Sequence, residues 1–476
     1  MSLKKDFTLG VFYTSVSKYS GLIIQVVITA VLARLLTPAD FGVVAIATVL
    51  IQFFNTISEA GIGPAIIQKK ELTSGEIDAI FTFTVLLGLL LSVVFYFCAG
   101  FIAEYYDNDA LVMVCRVLSV LILFSSIDIV TNSLLLKQKK FKAIAIRTVA
   151  VQLVVGVLSI YFAYEGWGMY ALVFSAIASK VVIFIVNYCY NPLKINFQFG
   201  CLAKIRSYSF YQFCFNIVNY FSRNADKLIV GKFIGMSQLG YYEKSYRLMM
   251  LPLSNITYVF TPVLHPIFSE LQNERERMFF NYIKLIKILG LLAFPVTAFL
   301  FFNARELVLL FFGNQWEASI LPFKILSLTA ALQIIHATAG GVFQAIDDTK
   351  NLFTMTFLTA SMIVCGFLIA ALCFHSIDAI AYSYLVTSTM TSLIVFHVLF
   401  HRFGHGLGLF FAVLKSSILL GLVEFAVLAC MDCFLPSFGL IADFVIKTIA
   451  IGLMTMIYVA NTKTINIKEF IKTFIK

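Results

Sequence analysis

Residues 219–247 read NYFSRNADKLIVGKFIGMSQLGYYEKSYR, and they hold Arg223, Asp226, Lys227, Lys232, Glu243, Lys244 and Arg247 within 29 positions near the middle of a very apolar chain. On a helix, Arg223 shares a face with Asp226 and Lys227, three and four residues on. One carboxylate neutralises one cation, so a positive charge is left over. Whether that surplus lies in water or in hydrocarbon decides the fold.

The flanking sequence answers this. The chain of 476 residues is 60% hydrophobic and 13% charged, with 49 Phe and 21 Tyr; its mean hydropathy is +0.93. A soluble protein carries about 25% charged residues, so the deficit places most of the surface against lipid. Runs long enough to cross a bilayer as helices, about 20 apolar residues, occur fourteen times. They fall at roughly 11–33, 41–63, 79–102, 112–134, 143–163, 168–189, 207–230, 245–269, 283–302, 321–345, 352–373, 377–399, 409–431 and 439–460. The first run continues to Ala33 without a small-residue cleavage site and reads as a retained span. Pro252, Pro262 and Pro266 each remove a backbone donor, so the eighth is expected to be kinked or broken. The chain is therefore an all-α polytopic membrane protein with about 14 transmembrane helices.

Charge along the connections sets the orientation. With the N-terminus cytoplasmic, the inside segments carry 23 Lys and Arg, Lys137, Lys139, Lys140, Lys142 and Arg147 among them. The outside segments carry four: Arg34, Lys232, Arg305 and Lys324. This is the positive-inside pattern. It predicts both termini in the cytoplasm, and it accounts for the net charge of +10 without a nucleic-acid partner.

A faint internal echo aligns LARLLTPADFGVVA (32–45) with VGKFIGMSQLGYYE (230–243), so that Gly42 matches Gly240 at an offset of 198. The two segments follow the first and seventh runs, which gives a parallel repeat. It predicts two six-helix lobes, 1–190 (helices one to six) and 191–400 (helices seven to twelve). Helices thirteen and fourteen follow over 401–461, and 462–476 form a tail. In that tail Ile467, Phe470, Ile471, Phe474 and Ile475 share one helical face with Lys468 and Lys472 opposite, as in a helix lying in the cytoplasmic interface.

Eight cations, Lys18, Arg116, Lys180, Arg223, Lys227, Lys244, Arg247 and Lys447, fall within or near the ends of spans, against Glu59, Asp128, Asp226 and Glu424. Lys244, Arg247 and Lys447 are placed to snorkel toward an interface. Lys18, Lys180, Arg223 and Lys227 are not, and unpaired ions at such depth line watery cavities or meet an anion. Catalytic candidates are poor. His397, His401 and His405 are spaced by four, but Gly404 interrupts the helix that would align them on a metal. Walker A, GxGxxG and HExxH are absent, so no cofactor is expected. Cys430 and Cys433 read as apolar filler.

TPADFGVVAIA after the first span, LLLKQKKFK, RNADKLIVGKFIG in the seventh span and LGYYEKSYRL opening the eighth together resemble the polysaccharide transporter branch of the multidrug/oligosaccharidyl-lipid/polysaccharide exporter superfamily. More narrowly, they resemble its bacterial oligosaccharide flippases for O-antigen, capsule, exopolysaccharide or teichuronic-acid-type repeat units. The resemblance covers nearly the whole chain. It implies two six-helix lobes around a central cavity plus two C-terminal helices, a bacterial inner or plasma membrane location, alternating access, and undecaprenyl-pyrophosphate-linked oligosaccharide as cargo. A polysaccharide polymerase and a chain-length regulator would be its working partners. Arg223 and Lys227, with Lys18 and Lys180 as weaker transfers, would meet the anionic headgroup in the cavity.

A proton or sodium gradient is the coupling that the resemblance favours, with Asp226, Asp128 and Glu59 as the carboxylates to temper charge or carry the ion. Gln25, Gln212, Asn216, Asn219, Tyr220 and Asn224 are the polar groups placed to contact a glycan. Two other classes compete: a cation-coupled multidrug-type exporter, and a polytopic enzyme or scaffold of the same polysaccharide pathway. Cationic cargo would call for buried carboxylates in place of the cationic excess, and the external connections are too short for an enzyme of this kind.

Overall fold

The computed structural model describes residues 3–59, 61–69, 72–201, 220–221, 223–272, 274–434 and 436–462. The interfacial helix expected in the tail falls on residues 463–476, outside this set. The described chain is all helix and connection. It separates into two compact units, Met1–Gly240 and Tyr241–Lys476.

The first unit contains α1 (Leu3–Leu35), α2 (Pro38–Glu59), α3 (Ile62–Gln68), α4 (Ser74–Tyr106), α5 (Ala110–Lys137), α6 (Phe141–Tyr164), α7 (Met169–Tyr190), and α8 over 223–233. Their starts are written locally. Pro38 occupies the first turn of α2, where its missing N–H costs nothing. Thr37 and Asp40 bond reciprocally there, with Thr37 Oγ1 donating to Asp40 Oδ2 at 2.7 Å and the Asp40 N–H donating back to Thr37 Oγ1 at 3.3 Å. Thr73 and Glu76 repeat the arrangement at α4 as a capping box. α5 packs against α2, α3, α4 and α7, and Ile62, Ile66, Ile80, Phe81, Ile127 and Val130 form the core between α3, α4 and α5.

The second unit contains nearly all of α9 (Met236–Glu270), then α10 (Arg275–Phe302), α11 (Ala304–Phe312), α12 (Ile320–Ser327), α13 (Ala330–His336), α14 (Ala339–Ala345), α15 (Thr349–Phe374), α16 (Ile377–Arg402), α17 (Leu407–Phe434) and α18 (Leu440–Thr462). α10 packs against α12, α13, α17 and α18.

Among the described residues, eleven helices are long and apolar enough to cross a membrane, or twelve if the bent pair 314–327 and 330–345 is one span. The protein is a multi-pass membrane protein. The fourteen expected runs exceed this count by the seventh, which lies largely outside the described residues, and by the eighth, α9. That helix is 35 residues long but carries Glu243, Lys244 and Arg247.

The break expected in the eighth run is absent. α9 runs unbroken through Pro252, Pro262 and Pro266, because neighbouring groups in a packed membrane helix can re-satisfy the carbonyls that proline leaves free. The break comes instead in the tenth run, which is bent by 50°. It falls at Thr329, whose hydroxyl donates to the carbonyl of Leu326 at 2.7 Å; Thr338, within the second segment, makes the same bond to the carbonyl of Ile335 at 2.7 Å. Their own N–H groups also take i−3 partners, which tightens the turn.

The sequence echo has a structural counterpart inside the first unit. A Cβ on Gly42 would stand 1.9 Å from the carbonyl oxygen of Met236, and a Cβ on Gly240 would stand 2.0 Å from that of Pro38. Pro38 and Met236 are themselves related by the offset of 198. The first turns of α2 and α9 thus meet backbone to backbone, each through its own glycine.

Candidate functional site

α8 carries the cations that the sequence singles out. Tyr220 anchors this segment to α2: its hydroxyl donates to the carbonyl of Val49, and the ring of Phe53 of α2 packs tilted against Phe221 at 5.1 Å between ring centroids. Asp226 is 4% exposed and its Oδ1 accepts the N–H of Lys227 at 2.8 Å. Lys227 is half-buried, and Arg223 is exposed without an ion pair among the described residues. α8 thus carries one buried acid, one half-buried lysine and one exposed arginine. The other side chains are engaged locally. The Asn224 amide donates to the Tyr220 carbonyl at 3.0 Å, and Tyr220 is a tie between helices. Gln212, Asn216 and Asn219 lie outside the described residues. Gln25 is exposed on α1.

Lys18, also on α1, is half-buried with its ammonium 5.8 Å from the centre of the Tyr19 ring.

The remaining candidates gather in a second place, among α2, α5, α6 and α7. Asp128 is 7% exposed. Its Oδ1 accepts from Thr131 Oγ1 at 2.9 Å and from Asn187 Nδ2 at 2.6 Å. The Asn187 carbonyl oxygen in turn accepts from Arg147, whose guanidinium also reaches Asn132 Oδ1 at 3.5 Å. One amide therefore links a buried carboxylate to a half-buried guanidinium, with both of its polar ends used. Lys180 of α7 interacts favourably with both Asp128 and Glu59, and Glu59 is exposed at the end of α2. The structure thus groups Lys180 with the carboxylates.

Three cations sit differently from expectation. Arg147, counted with the basic loop before it, lies within α6 and completes the Asp128 network. It followed four lysines in sequence, and only its position six residues into the helix gave a hint. Lys447 is tied to protein partners: it pairs with Glu306 and Asp432, both at 2.9 Å, and donates to the Phe302 carbonyl at 3.0 Å. Lys244 is 2% exposed, with the rings of Phe312 and Trp316 5.6 and 5.7 Å away, a cation–π setting. His405 stacks on Phe279 at 4.6 Å, apart from the parallel pair His397 and His401. Among the described residues no three His, Cys, Asp or Glu side chains gather as for a metal ion.

Comparison with known proteins places this arrangement. A family model described as "Polysaccharide biosynthesis protein" matches residues 31–321, more than half of the chain. The chain belongs to the polysaccharide biosynthesis protein family. Curated relatives agree in kind. The teichuronic acid biosynthesis protein TuaB of Bacillus subtilis (strain 168) is 25% identical over 353 residues, covering 72% of each chain. The lipopolysaccharide biosynthesis protein WzxC of Escherichia coli (strain K12) is 25% identical over 378 residues, 77% of this chain and 76% of that one. In fold, this polysaccharide biosynthesis protein is similar to the lipid II flippase MurJ in an inward closed conformation. The TM-score is 0.73 at 14% identity, covering 98% of this chain and 100% of that chain.

Proposed function

We propose that this protein flips undecaprenyl-pyrophosphate-linked oligosaccharide repeat units from the cytoplasmic to the outer leaflet of a bacterial inner or plasma membrane, by alternating access, for surface polysaccharide synthesis. The observation that carries the reading is family membership in a chain built of membrane-spanning helices, alongside relatives named for teichuronic acid and lipopolysaccharide biosynthesis. A glycan assembled on a lipid inside the cell must cross the bilayer before it can be polymerised outside. A multi-pass protein without a nucleotide-binding motif is suited to that step. The fold alone does not decide cargo, since a fold hosts many functions. Charge does more, and the accessible Arg223 with Lys227 favours an anionic headgroup over the cationic cargo of a multidrug-type exporter. Lys18 would supplement them.

Asp128, held by Asn187 and Thr131, and Asp226 are the carboxylates for coupling to a proton or sodium gradient; exposed Glu59 ranks behind them. A polymerase and a chain-length regulator would receive the product. The fourteen spans, the lobes divided at 190/191 and 400/401, and the cytoplasmic termini belong to the same proposal.

Two experiments test it. In detergent, the monodisperse protein should bind undecaprenyl-pyrophosphate-linked glycan and be indifferent to lipophilic drug cations; the opposite selectivity would assign it to the exporter class. For orientation, Tyr164→Cys and Lys142→Cys in a background lacking the native cysteines place single thiols at exposed positions on opposite ends of α6. An impermeant maleimide should label the first from outside intact cells and leave the second unlabelled. The reverse would invert the topology.

A further inference from the structure

Glu424 lies on α17, about 26 Å along the helix from its first residue and about 15 Å from its last at 1.5 Å per residue, so it is far from both ends of a span. It is 0% exposed. One oxygen, Oε1, lies 2.9 Å from Thr455 Oγ1 of α18; the other, Oε2, is buried with no hydrogen-bond partner. No cation pairs with it among the described residues. Beside it in sequence, Phe425 and Leu428 of α17 belong to an apolar cluster with Ile451 and Met454 of α18 and Ala298 and Phe302 of α10.

The hydroxyl of Thr455 decides between two readings. Its Oγ1 is also 2.8 Å from the carbonyl oxygen of Ile451, and it has a single hydrogen to give. If Glu424 is a carboxylate, one hydroxyl proton faces two acceptors, and Oε2 carries charge into an apolar, sealed space. That is among the costliest arrangements a protein can hold. If Glu424 is a carboxylic acid, its O–H donates to Thr455 Oγ1 and the Thr455 O–H donates to Ile451, so every short contact pairs one donor with one acceptor.

Charged and titratable groups on every packed element bear on this. α17 itself carries Lys415 and Asp432, and α18 carries Asp443 and Lys447, all two helical turns or more from the pair. Lys447 is already committed to Glu306 of α11 and to Asp432. On α10 the nearest is Lys287, two turns from Phe294, which packs at the level of Gly421. α16 meets α17 near Phe410 through Phe396 and Phe400, so His397, His401 and Arg402 stand near the level of Phe410, about 21 Å along α17 from Glu424. Tyr458, one turn from Thr455, bonds Ser416 instead.

We propose that Glu424 is a proton-binding site that locks α17 to α18: it holds its proton while the two helices are packed, and releases it to water only when they part. The ligand is the proton, and the site is separate from the α8 cations and from the Asp128 network. It does not depend on what the protein transports.

Infrared spectroscopy of the full-length protein in lipid at pH 7 tests the first half. The wild-type minus Glu424→Gln difference should contain the carbonyl stretch of a protonated carboxylic acid. If Glu424→Gln fails to fold, wild type with 13C in its glutamate carboxyls gives the same reading, since that band must then shift. A difference showing only carboxylate bands, or no acid band that moves on labelling, overturns the proposal.

Hydrogen exchange tests the lock. As pH rises, release of the proton should speed exchange of the amides around Thr455 beyond the intrinsic change, by up to about tenfold per pH unit in the window where the proton is lost, and Glu424→Gln should lack the excess. Identical pH dependence in both proteins, after correction for intrinsic exchange, would show that the proton does not hold the helices together.

Discussion

Gly42→Ala and Gly240→Ala should each cost this protein at least about 3 kcal/mol, the upper range for overpacking a well-filled contact. The methyl group of either variant would need to occupy space within 1.9 or 2.0 Å of a main-chain carbonyl oxygen. A side chain could swing aside; backbone in the first turn of a helix cannot. Relief requires the start of α2 and the start of α9 to move apart. The two clashes lie at one crossing, so separation forced by one alanine makes room for much of the other. The double variant should therefore be less destabilised than the sum of the singles, with a coupling on the order of 1–3 kcal/mol. Thermal unfolding of the four proteins in one detergent measures this. Additive losses, or singles indistinguishable from wild type, would mean that the crossing is loose enough to admit a methyl group.

The second large effect concerns transport. Arg223→Ala and Lys227→Ala should each leave a folded, inserted protein whose flipping rate per molecule falls about ten- to a hundredfold. That is the equivalent of losing a charge-assisted hydrogen bond worth about 1.5–3 kcal/mol. Arg223→Lys should recover part of the rate, because lysine keeps the charge and loses the planar fork that grips two phosphate oxygens. Asp226→Asn should differ in kind. It removes the one buried acid of α8, so the positive field grows, headgroup binding tightens, and turnover slows as product leaves less readily. If the three residues only hold α8 in place, each change would instead lower the amount of folded protein and leave the rate per folded molecule normal. Size-exclusion profiles alongside flipping rates separate these outcomes.

The spans were legible because crossing a bilayer demands a length and a composition that few other structures share, and the observed helices follow most of the apolar runs closely. Gly42 and Gly240 are matched positions of an echo at a fixed offset, but nothing in one dimension says that the turns they belong to touch. Depth and partnership were not legible. Lys244 and Lys447 look like snorkelling residues in sequence; the structure puts one beside two aromatic rings and the other between two carboxylates contributed from distant positions. Arg147 was hidden by the basic loop before it, and its partner Asn187 lies 40 residues away. The helix break was misplaced for a related reason. Proline announces a lost donor, but α9 absorbs three of them, whereas the tenth run bends at Thr329, whose hydroxyl bond to the Leu326 carbonyl is not revealed by composition.

The central claim is that the chain moves a lipid-linked anionic glycan between leaflets by itself. Purified protein reconstituted into liposomes with undecaprenyl-pyrophosphate-linked oligosaccharide, scored by access of an impermeant glycan-modifying reagent, tests it most directly. The account predicts transfer between leaflets without ATP, accelerated by an imposed proton or sodium gradient and depressed in Arg223→Ala. Strict dependence on added ATP, or no transfer by monodisperse protein under any gradient, would contradict it.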